Sequence, residues 1–591
     1  MEPQPETGSR RWQRDRVIIA LLVIAAIVPF IRTLAFGYVM DEIPAIRSNP
    51  IIQGWESLVD VWRYGYGSPD QPFEGLYRPL TMFMFAFVWN LTGGWPIWFH
   101  ALAIVLHTLA TILIWRLLIV GGVGRIPSAL AAAWFAVHPL HVEAVANVAN
   151  NSEILVAIWG VTLALFLLRI RDRGASPGLR DAVIAGLLCL AAVLSKESGA
   201  MASVLALVCI FGWRREHSTS PRAPLRWVSW IPIVAAFAVA ATLVVIARAA
   251  VLGGPVTGES IAVPGIDGIL AGQRILSMLS LTPKVLGLLL WTPELNPAYG
   301  PSEFDQASIW LSALVLVALI ALLVAAIRLA RRGDRRMLVS LAWVFIAFLP
   351  ASNLLVPTGQ ILAERTLYVP SIGVAMILGL VLERAWHLAA ARGMPLIARG
   401  AVTAMALVIM IGAARTMRWT EVWRSHESVH AQIIAADSAN YRGYWYTAVY
   451  LGNNGQMEAA FPLIERAFRM YPADRDVRLD YADALLRRGD AARARAVAAP
   501  LMAFDEYRAR QRAVGVYLDA LGRSRGVDSV IVAARMLMTS SPSGAAALYL
   551  GIAHEVRGER SLATDAYRDG LRLAPSDSVL LQRLAALQRA P

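Results

Sequence analysis

The chain has 591 residues, 57% of them hydrophobic and only 16% charged, and its mean hydropathy is +0.52. A soluble domain carries about 45–50% apolar and about 25% charged residues, so most of this chain hides from water in something other than its own core. The net charge of +13 lies largely in arginines of short loops between apolar segments, and no Lys/Arg face with interleaved aromatics is present, which excludes a nucleic-acid groove.

About 20 apolar residues cross a bilayer as a helix, and about 17 suffice. In chain order the candidates are 17–37, 97–119, 126–138, 153–169, 181–195, 198–212, 228–250, 307–329, 337–350, 368–386 and 398–414. The first follows RRWQRDR; it is too long for a signal peptide and lacks a small-x-small cleavage site, so it reads as an uncleaved span. Cys189 and Cys209 fall inside apolar segments and offer neither a disulfide framework nor a metal site. Arginine-rich loops face the cytosol. Arg10, Arg11, Arg14 and Arg16 put the N-terminus there, as do Arg116/Arg125, Arg169/Arg171/Arg173, Arg214/Arg215/Arg222, Arg328/Arg331/Arg332/Arg335/Arg336 and Arg384/Arg392/Arg399 for every second loop. A span at 272–291 would push RLARRGDRRM outside, so 272–291 and 79–91 are expected to be interfacial or re-entrant. Eleven spans then leave the N-terminus inside and the C-terminus outside.

After about residue 425 the character changes. Gly455 and Gly489 are 34 residues apart and Gly558 follows 69 later, between helical patterns such as MEAAFPLIERAFRMYPAD and SLATDAYRDGLRLAPSD. That is the period of tetratricopeptide repeats, helix pairs that stack on their neighbours, with a degenerate unit at about 507–542. The expected architecture is all-α: a polytopic helical bundle over 1–425, then a tetratricopeptide solenoid over 426–591.

Polar outliers gather on the expected outer face: Asp41 and Glu42, Arg78, then His138, His141, Glu143 and Glu153, then Lys196 and Glu197, then Glu364, Arg365 and Tyr368. Charges at membrane depth are costly and mark a pathway or a site, so four outer loops bearing both signs point to one shared polar cavity. Single features have plainer readings too. Asp41-Glu42 reads equally as a charged helix end, Lys196-Glu197 as an interfacial ion pair, and the two histidines as backbone-bonded groups instead of metal ligands, since ligation needs about three protein groups. Arg365 is hardest to dismiss, because its planar fork needs an anion and suits a phosphate.

VMDEIPAIRSNP, YRPLTMFMFAFVW, WFHALAIVLHTL, HPLHVEAVANVANNSEIL, LSKESG and AERTLYVPSIG occur in this order ahead of the repeats. Together they resemble the transmembrane-and-tetratricopeptide-repeat branch of the protein O-mannosyltransferase-like enzymes, with a GT-C fold. The resemblance covers nearly the whole chain. It implies a multi-pass glycosyltransferase of the cell membrane that moves a sugar, usually mannose, from a polyprenyl phosphate to a protein hydroxyl, with inversion. The repeats then lie on the outer side and meet the acceptor protein. Where relatives often carry two aspartates in the first outer loop, this chain has Asp41-Glu42. A hydroxyl needs a base and a departing phosphate needs cations. On that basis Asp41 is the expected base, with Glu42 as alternate, and Arg365, Lys196 and Arg78 hold the phosphate. His138, His141, Glu143, Glu197, Glu364 and Tyr368 line the substrate pocket; no metal is assigned, although the first three would hold a divalent ion if one is used. The rival expectations are a lipid-linked-sugar flippase or ligase for surface glycan and a non-enzymatic repeat scaffold.

Overall fold

The computed structural model describes residues 8–68, 71–73, 75–174, 176–213, 227–252, 263–266, 268–292, 294–503, 507–575 and 577–589. The expected cytosolic residues Arg214, Arg215 and Arg222 lie outside them. Two compact units result, Met1–Gln432 and Ile433–Pro591.

The first unit is built from α1 (Gly8–Ile27), α2 (Pro79–Thr92), α3 (Pro96–Val120), α4 (Arg125–Ala136), α5 (Asn151–Asp172), α6 (Leu179–Ser195), α7 (Met201–Gly212), α8 (Ile231–Leu252), α9 (Ala271–Ser280), α10 (Thr282–Leu290), α11 (Ile309–Arg331), α12 (Arg336–Phe348), α13 (Tyr368–Ala391) and α14 (Pro395–Thr420), joined by short helical turns. A two-residue antiparallel bridge, Gly67–Ser68 with Gln71–Pro72, closes a hairpin in the first long loop. Among the described residues seven helical stretches are long and apolar enough to cross a membrane, or eight if α4 and the following Pro139–Ala146, bent by 48°, form one span. Of the eleven expected spans, 181–195, 198–212 and 337–350 correspond to α6, α7 and α12, helices of 17, 12 and 13 residues. At 1.5 Å per residue the two shorter ones reach about 20 Å, less than the ~30 Å apolar layer. The stretch 272–291 is broken into α9 and α10 rather than running as one rod, and α2 has only 14 residues.

Small residues let these helices approach. On α5, Gly160 leaves room for Ala202 of α7, and on α6 Gly186 faces Ala236 of α8. α12 packs along both α7 and α13; a Cβ on Gly373 of α13 would lie 2.8 Å from the Ser340 carbonyl of α12. Cys189 and Cys209 are buried free thiols. One end of the bundle collects loop arginines: Arg125 pairs with Asp15 at 2.8 Å, Arg335 donates to the Phe211 carbonyl at 3.3 Å, and buried Arg336 reaches Glu383 at 3.1 Å and the Gly121 carbonyl at 3.3 Å. These contacts tie the helix ends that the arginine rule groups together.

The second unit is a run of helix pairs: Tyr441–Asn453 with Met457–Met470, Arg475–Arg487 with Ala491–Ala498, Tyr507–Arg525 with Val527–Ser540, and Gly544–Val556 with Arg560–Leu573, closed by Ser578–Arg589. Gly455, Gly489, Gly526 and Gly558 turn each pair with φ between +75° and +87°, where a side chain is strained. Gly526 is the turn of the unit whose repeat pattern is weakest in the sequence. The core is a stack of alanines and aromatics such as Tyr441, Tyr444, Phe461, Ala467, Tyr481 and Ala494.

Candidate active site

A cavity of about 470 Å³ opens at the bundle end opposite the arginine cluster, between α5, α7, α12 and the loops above them. Asp41, Arg78, Lys196, Glu197 and Arg365 all line it, with Glu153, Arg248 and Gln360. These groups come from six chain segments. Glu42, His138, His141, Glu143, Glu364 and Tyr368 do not line it.

Three of the lining cations already have carboxylate partners. Arg78 donates from Nε to Glu197 at 3.0 Å and lies over the Tyr66 ring at 5.2 Å. Lys196 is ion-paired with buried Glu153 at the start of α5. Arg365 is ion-paired with buried Glu143, whose second oxygen accepts the Arg365 backbone N–H at 2.8 Å, and its other arm donates to Gln360 at 2.9 Å. Glu143 is therefore the counter-ion behind the site, reached from a helical turn 222 residues away in sequence.

Asp41 is different. Among the described residues its carboxylate has neither a hydrogen bond nor an ion pair, and it faces the cavity half-buried. Burial pushes its carboxyl above the usual carboxylate range, against the opposing pull of Arg365 and Arg78. The backbone just before it is strained: Met40 sits at φ +49°, a left-handed conformation that favours glycine. Glu42 holds this turn in place. Its Oε2 accepts the Val39 N–H at 2.7 Å and its Oε1 accepts the Val148 N–H at 2.6 Å, so the side chain is fully buried away from the cavity. Burial raises its carboxyl to about 8, with the two N–H donors pulling the other way.

The remaining expected pocket residues are engaged elsewhere in the protein. His141 hydrogen-bonds Ser371 at 2.9 Å and His138 caps its own turn, with Nδ1 accepting the Leu140 N–H at 3.3 Å. Tyr368 hydrogen-bonds His107 at 2.8 Å inside an aromatic cluster with Phe135. Glu364 accepts from the Asn296 N–H at 2.5 Å and the Tyr299 hydroxyl at 2.9 Å. His138, His141 and Glu143 thus each face a different neighbour and do not converge on one ion. Among the described residues no group of three or more His, Cys, Asp or Glu side chains is placed to hold a metal.

Below its charged rim the cavity is apolar. Glu153, Val156, Ala157 and Gly160 lie on one face of α5 at helical spacing. Ala202 and Leu205 of α7 and Trp343 and Ala347 of α12 complete the walls. The face descends about 10 Å from Glu153 to Gly160. The cavity therefore has a charged mouth over an apolar slot.

The SKESG turn that presents Lys196 and Glu197 depends on Gly199, where a Cβ would lie 2.0 Å from the Ala192 carbonyl. Gly199→Ala is expected to displace this turn and cost about 1–3 kcal/mol of stability, read as a lowered melting temperature in detergent. An unchanged melting temperature would show that the contact relaxes without cost.

Residues 453–513 match the tetratricopeptide-repeat family. Over the longer span, the Protein O-mannosyl-transferase Tmtc3 of Drosophila melanogaster is 27% identical, covering 80% of this chain and 57% of its own length. The Protein O-mannosyl-transferase F38B6.6 of Caenorhabditis elegans is 24% identical, covering 77% and 63%. This chain is similar to protein O-mannosyl-transferases through most of its length. It spans about 57–63% of the length of these two relatives. A solved Archaeoglobus fulgidus oligosaccharyltransferase aligns with TM-score 0.42 and 15% identity, over 76% of this chain and 59% of that one. The described residues form a helical protein, with one two-residue strand pair, that has several candidate membrane spans and a tetratricopeptide-repeat solenoid.

Proposed function

We propose that the chain is a membrane glycosyltransferase that moves a sugar, mannose by its relatives' names, from a polyprenyl phosphate to a serine or threonine hydroxyl of a protein. The observation that carries this reading is the cavity itself. It joins a mouth of three cations with carboxylate partners and a carboxylate, Asp41, that has none among the described residues, to an apolar slot along α5, α7 and α12.

In the proposed reaction the hydroxyl oxygen attacks C1 of the sugar and its proton passes to Asp41. The bond from C1 to the phosphate oxygen breaks with its electron pair staying on the phosphate, and the cationic rim receives that charge. Single displacement inverts the anomeric centre. Glu42 positions Asp41 through its bonds to Val39 and Val148, and Glu143 positions Arg365. The site faces the extracytoplasmic side, with the N-terminus cytosolic and the repeat unit outside, where it recruits the acceptor protein. Sided labelling of a tag at either terminus tests this orientation; a cytosolic C-terminal tag would reverse it.

The decisive experiment reconstitutes the purified chain with polyprenyl-phosphate mannose and follows donor consumption and sugar transfer. Turnover that Asp41→Asn and Arg365→Ala both remove supports the proposal. Failure of the wild type to bind the donor would favour a scaffold whose helices only anchor the repeats.

A further inference from the structure

Arg248 is the cavity's one lining cation, among the described residues, with no carboxylate partner. It lies on α8, a helix with much of its surface exposed and a length sufficient to cross a membrane. One arm of its guanidinium donates to the Gly75 carbonyl at 2.7 Å, and its Nε is buried without a hydrogen-bond acceptor. A guanidinium carries five N–H donors, and a cation on an apolar helix is costly unless something anionic meets it. Arg78, Lys196 and Arg365 have that need met by Glu197, Glu153 and Glu143. Arg248 does not. Among the described residues the cavity thus contains one anion, Asp41, and one cation, Arg248, without an oppositely charged partner.

We infer that Arg248 is the principal phosphate-binding residue of the site, receiving the phosphate of the lipid-linked donor from the side of α8. The inference rests on the lipid-phosphate reading above and changes its assignment of labour. The three paired cations set the potential of the rim, while Arg248 supplies the free donors that a phosphate oxygen needs. An unsatisfied guanidinium nitrogen and an arriving phosphate form charge-assisted bonds of about 1.5–3 kcal/mol, which is about 10- to 150-fold in affinity.

The test uses the full-length chain in detergent and three probes: farnesyl phosphate, farnesol and inorganic phosphate. The wild type is expected to bind farnesyl phosphate at least tenfold more tightly than farnesol, with inorganic phosphate far weaker than either. Arg248→Gln is expected to bring farnesyl phosphate to within about threefold of farnesol while farnesol affinity is unchanged, and Arg248→Lys to recover part of the preference. A residue that merely tethered the Gly75 loop would weaken both lipids together. Retention of the full phosphate preference by Arg248→Gln overturns the inference and leaves the transferase reading intact. If inorganic phosphate binds as tightly as farnesyl phosphate and depends on Arg248, the lipid-linked part of the inference is overturned. A wild type that binds farnesol and farnesyl phosphate equally well defeats the lipid-phosphate reading itself. Melting temperatures of both variants identify any loss of fold.

Discussion

Asp41→Asn is expected to slow sugar transfer by about 10²- to 10⁴-fold, the usual share of a general base, while lipid-phosphate binding changes little. The change preserves shape and removes only the proton acceptor, and the Asp41 side chain has no hydrogen bond among the described residues whose loss would unfold the turn. The wild-type rate should also carry the mark of this carboxyl in its pH dependence. A base works deprotonated, and burial raises the Asp41 carboxyl more than Arg365 and Arg78 lower it. Transfer should therefore fall on acidification, with a midpoint above the value near 4 of an ordinary aspartate. Asp41→Asn should abolish that limb. An asparagine variant that turns over at the wild-type rate would remove Asp41 from the chemistry.

Glu143→Gln is expected to be the most destabilising single change at the site. Glu143 is nearly inaccessible, binds both the side chain and the backbone N–H of Arg365, and has no contact with the cavity. Removing its charge leaves a largely buried guanidinium without its counter-ion, at about 3–5 kcal/mol. Thermal unfolding in detergent should show the loss. The double variant Glu143→Gln with Arg365→Gln should lose less than the sum of the two single changes, because the groups act as a pair. Strict additivity would mean that the pair is not a coupled unit.

Much of this site can be read from the sequence, since charge inside an apolar chain is conspicuous. Asp41, Arg78, Lys196, Glu197 and Arg365 stand out for that reason, and all five line one cavity. What the sequence does not yield is the division of roles. Glu143 and Arg365 look like two members of a pocket, yet one is the counter-ion of the other. Glu42 is chemically as good a base as Asp41, and only its hydrogen bonds to Val39 and Val148 withdraw it from the cavity. Such pairings are made by tertiary contacts between distant segments, which no local pattern encodes. Arg248 was legible in principle: a single arginine within the 228–250 stretch is the expensive kind of residue that marks a site. Hydropathy averaged over a span conceals it. The repeat period was equally plain at Gly455, Gly489 and Gly558, while the turn at Gly526 is hidden because its repeat keeps the shape with little of the pattern. Lengths were less legible, because α6, α7 and α12 are apolar over most of their residues but end early at turns.

The left-handed backbone at Met40 makes the first long loop a loaded spring. A non-glycine residue in that conformation holds about 1–2 kcal/mol, and the two grips of Glu42 on Val39 and Val148 keep it wound. Asp41 directly follows Met40 in the chain, so whatever relaxes this turn also moves its carboxylate. The carboxylate proposed as the base is thus mounted on a strained turn and held in register by a neighbour that is itself turned away from the cavity.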